Sequence, residues 1–137
     1  MIAFGSNGMV TTQHYLATKV GEDILNQGGN AYDAAIAISF TLAVVLPRAG
    51  NIGGGGFMVL HDIKSKKNYA IDYREKAPLL STTDMYLDEN GTVIPNKSTL
   101  GYLSSGVPGT VAGMWAVHQK FGSMEWEKLL RPAIKLA

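Results

Sequence analysis

Hydrophobic residues near the start of the chain recur at the spacing of a helix. Leu16, Val20 and Ile24 fall on one face when residues 14–27 are wound as a helix. A Gly-Gly pair follows directly, and glycine commonly ends a helix because it accepts a left-handed backbone. The pattern therefore predicts an amphipathic helix over residues 14–27.

A second segment, residues 31–46, is apolar on nearly all sides, which predicts a helix packed by neighbours on several faces. It contains Asp33 and Ser39, and it falls short of the ~20 apolar residues that a membrane span needs. Asn30 is placed to cap the helix, and Asp33 lies in the first turn, where a carboxylate meets the positive helix end. We therefore interpret Asp33 as a capping residue and Pro47 as the end of the helix.

The middle of the chain predicts a two-stranded hairpin after a glycine-rich run. Residues 53–56 are consecutive glycines, which disfavour a helix and allow close approach of one backbone to another. The apolar run at 57–60 predicts a strand buried on both faces. After a polar turn at 64–68, residues 69–74 alternate between large apolar side chains and small or charged ones, which predicts a second strand with one face inward.

Two further helices are predicted in the last third of the chain. Residues 108–121 begin with a proline suited to a first helical turn, and residues 124–137 have an amphipathic pattern. Four helices and one hairpin predict an α+β chain. The last helix runs to Ala137 without a capping residue, a pattern that favours a piece of a longer chain.

Composition excludes several classes of protein. The 137 residues fit one domain, their formal net charge is +1, and they include no cysteine. A nearly neutral chain lacks the basic stripe of a nucleic-acid binder, and without cysteine there can be no disulfide, thiolate zinc site or cysteine nucleophile. Residues 1–10 lack the basic and apolar regions of a signal peptide. The 16 glycines are about 12% of the chain, against ~7% in an average protein.

The glycine-rich run does not fit a nucleotide-binding loop. A phosphate-binding loop needs Gly-Lys-Ser/Thr at the start of a helix, and a dinucleotide fingerprint needs a strand before its glycines. Here a helix precedes the glycines and a strand follows them. The order predicts a tight connection packed against other backbone, whose amides could also cup an anion or an oxyanion.

Histidines and hydroxyl pairs are predicted to be structural. His14, His61 and His118 are scattered without the spacing of metal ligands, so no metal site is expected. A hydroxyl is a nucleophile only beside a base, and we interpret the pair Thr11-Thr12 as a loop or cap feature.

Arg74 is the most informative polar residue, because it ends the second predicted strand. A strand-end arginine can present a rigid fork of donors to a ligand. It can equally form a solvated ion pair with Asp72 or Glu75, and the pattern alone favours that simpler interpretation.

Several motifs, taken in order, resemble the large subunit of γ-glutamyltranspeptidases. The resemblance covers almost the whole chain from Gly8, and the order of the motifs makes it far more specific than a glycine run alone. The matching strings are GMV at 8–10, GGNAYDAA at 28–35, PRAGNIGGGGFM at 47–58, DYREKAP at 72–78, GVPGTVAG at 106–113 and PAIKLA at 132–137.

The resemblance implies an N-terminal nucleophile hydrolase, whose αββα sandwich would be incomplete in this chain. Residues 1–137 would be the N-terminal portion of the large subunit, a single partial domain. In this family a precursor cuts itself into a large and a small subunit, and the freed N-terminal threonine of the small subunit attacks the γ-glutamyl carbonyl. That nucleophile would lie downstream, so no catalytic residue is expected here, Thr11-Thr12 is rejected as the nucleophile, and the chain alone is predicted to be inactive.

One functional residue carries over from the resemblance, since Arg74 matches the arginine that grips the α-carboxylate of the substrate. The implied partners are a glutathione-like γ-glutamyl substrate, an acceptor amino acid, peptide or water, and the small subunit. No cofactor or metal is implied, and the implied location is periplasmic or secreted. A related acylase, a poly-γ-glutamate depolymerase and a non-catalytic α/β module stay open as alternatives, although the motif around Arg74 favours glutamyl substrates over those of acylases.

Overall fold

The structure is a computed structural model that describes residues 4–137. The first three residues of the predicted domain 1–137, which also begin the segment 1–10 that lacks signal-peptide features, lie outside the described residues.

Helices and strands form in the order that the sequence predicts. Both α3 and α4 begin two residues later than the predictions at 108 and 124, and the other boundaries agree to within two residues. The elements are α1 (Tyr15–Asn26), α2 (Ala31–Val45), β1 (Phe57–Asp62), β2 (Lys67–Asp72), a 3-10 turn (Tyr102–Ser104), α3 (Thr110–Phe121) and α4 (Trp126–Leu136). The predicted α+β class is confirmed for the described part of the chain.

Helix α2 lies at the centre of the core and packs against α1, α3 and α4. Ile36 and Ala37 are fully buried, and the ring of Phe40 meets the edge of Trp126 at 5.6 Å between centroids. Burying side chains of the size of Ile36 contributes roughly 1.5–3 kcal/mol each. The prediction of a helix packed on several sides is confirmed, and no helix within residues 4–137 is long and apolar enough to cross a membrane.

Strands β1 and β2 form an antiparallel hairpin with Phe57 opposite Asp72 and Asp62 opposite Lys67. The prediction that residues 57–60 are buried on both faces is wrong in this structure. Leu60 is buried, but Val59 on the opposite face is 81% exposed. The physical reason is that the helical core covers only the inner face of the hairpin, and no other described element covers the outer one.

Asp33 is a cap, as predicted, but it also joins two distant parts of the chain. Its side chain accepts the backbone N–H of Asn30 at 2.9 Å, which completes a capping box at the start of α2. The same carboxylate accepts the N–H and the hydroxyl of Ser123, at 3.0 and 2.5 Å, and the N–H of Met124 at 3.4 Å. The fully buried carboxylate therefore fixes the turn between α3 and α4 to the beginning of α2.

Hydrogen bonding decides the protonation of Asp33. Burial alone would raise the pKa of this carboxyl group, but donors from Ser123, Asn30 and Met124 outweigh burial and hold its pKa below the ordinary value. A lowered folded-state pKa means that the contribution to stability is complete above the ordinary carboxyl pKa. It is lost as the pH falls through the folded-state value.

We expect Asp33→Asn to weaken the α3–α4 turn by about 1–3 kcal/mol, because an amide NH2 would face backbone donors. The measurement is amide hydrogen exchange at Ser123 and Met124 in the full-length protein. The wild type should lose protection below about pH 4, and the variant should lack this acid-dependent component. Asp23→Asn, which removes an exposed ion pair with Lys19 in α1, is the matched control and should change these amides by under about 0.5 kcal/mol. Equal protection in Asp33→Asn and wild type would contradict the assignment.

Candidate functional site

The candidate site is the short segment at residues 73–75, which follows β2 and carries Arg74. The backbone N–H of Tyr73 donates to the carbonyl of Gly56 at 3.1 Å. On the other side, the N–H groups of Gly109 and Thr110 donate to the carbonyl of Gly54 at 2.8 and 3.1 Å. These bonds give two amides at the start of α3, which have no partner within the helix, a partner in the glycine-rich run.

Glycine is required around this segment because the backbones lie too close together for side chains. A Cβ at Gly55 would lie 2.6 Å from the carbonyl oxygen of Tyr73 and 2.8 Å from the Cα of Arg74. A Cβ at Gly109 would overlap the backbone of Tyr73, and a Cβ at Gly113 would overlap its side chain. We call residues 54–56 together with Gly109 and Gly113 the glycine clamp. None of these glycines has a left-handed backbone, so they are needed for space.

Asn51 links the glycine-rich run to the start of α3 through its side chain. Its side-chain oxygen accepts the N–H of Gly54 at 3.0 Å and the hydroxyl of Thr110 at 2.6 Å. Thr110 is only 4% exposed. The sequence did not single out either residue. The available signal was an Asn three residues before a glycine, a local turn pattern that says nothing about the partner 59 residues away.

The side chain of Arg74 faces solvent at the edge of the glycine clamp. Within residues 4–137 its guanidinium has no carboxylate partner within 4.0 Å, so the simpler interpretation of an ion pair with Asp72 or Glu75 is wrong in this structure. Asp72 instead accepts the backbone N–H of Arg74 at 3.0 Å. The donors of the guanidinium are therefore available to a ligand.

Beside Arg74 lies a cavity of about 320 Å³ with a mixed lining. Asp72, Arg74 and Lys76 supply its charges, and the first turns of α3 supply a floor of small residues that includes Ala112. An antiparallel bridge from the backbone of Lys76 to Val107 holds one wall, with N–O distances of 3.2 and 2.8 Å. Two cations against one acid favour an anionic group such as a carboxylate.

The amides of the glycine-rich run are partly used within the protein. The N–H of Gly54 is taken by Asn51, while the carbonyls of Gly54 and Gly56 accept bonds from the start of α3 and from Tyr73. The predicted packing of this run against other backbone is confirmed. The N–H of Gly54 is thereby withdrawn from an anion or an oxyanion.

The three histidines lie apart and make structural contacts. His14 caps α1 by accepting the N–H of Leu16 at 3.3 Å. His61 shares a hydrogen bond of 2.8 Å with Asn68 across the hairpin, and His118 shares one of 2.8 Å with the carbonyl of Met124. In the described part of the chain, no group of three acidic, histidine or cysteine side chains is placed to hold a metal ion.

The threonine pair before α1 also has structural partners. The hydroxyl of Thr12 donates to the carbonyl of His14 at 2.7 Å and lies 2.9 Å from the hydroxyl of Thr18. These contacts shape the turn into α1, which agrees with the interpretation of Thr11-Thr12 as a loop or cap feature.

Comparison with known proteins adds a family relationship to this geometry. The family model described as Gamma-glutamyltranspeptidase matches residues 17–137. The chain is 53% identical over 131 residues to the glutathione hydrolase proenzyme of Pseudomonas sp. (strain A14), a match that covers 96% of this chain and 23% of that relative. The chain therefore spans about a quarter of the length of this curated relative.

Solved structures show the same relationship in three dimensions. The γ-glutamyltranspeptidase of Helicobacter pylori superimposes with a TM-score of 0.90 at 52% identity, covering 100% of this chain and 39% of that one. The enzyme of Pseudomonas nitroreducens, in a complex with L-DON, superimposes with a TM-score of 0.87 at 51% identity, covering 98% and 39%.

We expect Gly55→Ala to displace residues 73–75 at a cost of about 1–3 kcal/mol, because the new methyl would press on backbone that cannot rotate away. Gly53→Ala is the matched control from the same run, since a Cβ there meets nothing within 4 Å. The measurement is amide hydrogen exchange at Tyr73 and Lys76 in the full-length protein. Unchanged exchange in Gly55→Ala, or an equal effect of both substitutions, would refute the clamp.

Proposed function

The chain belongs to the γ-glutamyltranspeptidase family and matches the N-terminal region of its large subunit, and we propose that the full-length protein transfers or hydrolyses γ-glutamyl groups of glutathione-like substrates. The described helices and hairpin are the corresponding α+β part of that family's N-terminal nucleophile hydrolase sandwich. Residues 1–137 would act as a single partial domain of the large subunit.

The observation that carries the proposal is the presentation of Arg74. Its backbone is enclosed by the glycine clamp, while its guanidinium is exposed beside a cavity and has no carboxylate partner among the described residues. A γ-glutamyl group carries an α-carboxylate several bonds away from its scissile carbonyl. A bidentate guanidinium suits that carboxylate and would fix the far end of the substrate.

In the proposed reaction, this chain contributes orientation and the small subunit contributes the chemistry. The N-terminal threonine of the small subunit would attack the γ-glutamyl carbonyl, with its own α-amine as the base, and release the amine of the donor. Water or an acceptor amine would then resolve the acyl-enzyme. Arg74 would hold the α-carboxylate through both steps, which keeps the reacting carbonyl close to the nucleophile.

The proposal includes partners and a location. The relative from Pseudomonas sp. is named a proenzyme, which supports a precursor that is cleaved into a large and a small subunit. The substrate would be a glutathione-like γ-glutamyl compound, and the acceptor an amino acid, a peptide or water. We propose, from the same family relationship, that the full-length protein acts in the periplasm or outside the cell.

We expect Arg74→Lys in the full-length protein to lower kcat/KM for a γ-glutamyl anilide more than tenfold, which corresponds to more than ~1.4 kcal/mol of transition-state binding. A lysine keeps the charge but loses the two parallel donors that match a carboxylate. Steady-state release of the anilide product measures the effect.

Arg131→Lys is the matched control for Arg74→Lys. Arg131 lies on α4, where its exposed guanidinium pairs with Glu127 at 2.8 Å, and the substitution should leave kcat/KM within about twofold. Unchanged kcat/KM in Arg74→Lys would overturn the role of Arg74. If the wild-type protein does not turn over the γ-glutamyl anilide but does hydrolyse other amides, the related acylase is favoured.

The chain by itself should not turn over γ-glutamyl anilide, because the proposed nucleophile belongs to the small subunit. The measurement is release of the anilide product by the purified chain and by the full-length protein at equal molar concentration. Turnover by the chain alone would place the nucleophile within these residues and contradict the proposed division of roles.

A further inference from the structure

We infer that Thr110 is a positioning residue for the substrate carboxylate, acting through Asn51 and the glycine clamp on Arg74. The inference rests on the proposed function and extends it to a residue that does not touch the substrate. The proposed role is to restrict movement of the backbone at Arg74.

Thr110 has the contacts that this role requires. Its hydroxyl donates to the side-chain oxygen of Asn51 at 2.6 Å, and that same oxygen accepts the N–H of Gly54 at 3.0 Å. The N–H of Thr110 and that of Gly109 both donate to the carbonyl of Gly54. Three hydrogen bonds therefore join the start of α3 to residues 51–54, and a fourth, from Gly54 to Asn51, lies within that segment. The hydroxyl bond is partly buried, with Thr110 itself buried.

Both segments that these bonds join lie against the backbone of residues 73–75. Gly55 and Gly109 both approach the backbone of Tyr73 and Arg74 at distances that leave no room for a Cβ. The backbone N–H of Arg74 bonds only to its own neighbour Asp72. The joined segments, and not a ladder bond of its own, thus locate the backbone of Arg74.

Loss of the Thr110 hydroxyl should loosen this enclosure without touching the cavity beside Arg74. Thr110 does not line that cavity, so its substitution removes no direct contact with a ligand there. A bidentate pair between guanidinium and carboxylate depends on geometry, and a small displacement of a positioning group can reduce a rate by about 100-fold. The expected defect is therefore selective for substrates that carry the α-carboxylate.

The experiment compares two substrates on the full-length protein, γ-glutamyl-p-nitroanilide and its analogue in which the α-carboxylate is an α-carboxamide. The ratio of their kcat/KM values measures carboxylate preference. Thr110→Val, which has nearly the shape of threonine but no hydroxyl, should lower this ratio about tenfold, through KM more than through kcat. Thr110→Ser keeps the hydroxyl and should restore the wild-type ratio.

Thr41→Val is the matched control. Thr41 is also buried, but its hydroxyl bonds to the carbonyl of Ala37 within its own helix, at 2.8 Å, so the ratio should stay at the wild-type value. If the precursor with Thr110→Val is not cleaved into its subunits, Thr110→Ala is used in the same comparison of the two substrates. In combination with Arg74→Gln, Thr110→Val should lower the ratio no further, because the group that reads the carboxylate is already absent.

The outcomes separate the inference from the proposed function. If Arg74→Gln abolishes the preference for the carboxylate and Thr110→Val lowers it, the proposed function and the inference are both supported. If Arg74→Gln abolishes the preference for the carboxylate but Thr110→Val reduces kcat/KM equally for both substrates, Thr110 has only a structural role and the inference is overturned. If wild type shows no preference for the carboxylate, or Arg74→Gln retains that preference, the proposed role of Arg74 fails first.

Discussion

The position of Arg74 depends on three backbone segments that lie closer together than side chains would allow. The glycine-rich run, residues 73–75 and the start of α3 are in contact because Gly55, Gly109 and Gly113 leave out a Cβ where one would overlap Tyr73 or Arg74. Hydrogen bonds to the carbonyl of Gly54 then hold the glycine-rich run and the start of α3 together. Close backbone packing of this kind restricts movement, since there is no flexible side chain to absorb a displacement.

The helical core determines whether these segments can meet. Met114 and Val117 of α3 are buried among residues of α2 and α4, so the packing of α3 into the core sets where its first turn lies. On the other side, Ile71 packs its strand against the same core and delivers residues 73–75 to the clamp. Asp33 adds a polar restraint by tying the far end of α3 to the start of α2. The site therefore inherits its geometry from both ends of α3.

Local patterns were enough to predict the elements, because helical spacing, caps and strand alternation involve residues close in the sequence. Asn30 and Asp33 were recognisable as caps for this reason. The bonds from Asp33 to Ser123 and from Asn51 to Thr110 connect residues 90 and 59 positions apart, and no local rule contains them. The exposed outer face of β1 was not predicted. An apolar run indicates that a strand can be covered on both faces, but it does not show which neighbouring elements are present.

The role of Asp72 explains how an exposed arginine can keep its side-chain donors free of an ion pair within the described residues. Asp72, which ends the same strand, could pair with the guanidinium, but its side chain accepts the backbone N–H of Arg74 instead. Such a bond shapes the chain and leaves the guanidinium donors to a ligand. The backbone is already ordered by the clamp, so a bound carboxylate has only the side-chain rotamers of Arg74 to order, and the planar guanidinium lowers that cost for each bond formed. In the proposed function, fixing the backbone at the base of this flexible side chain would favour a bidentate anion without burying the charge.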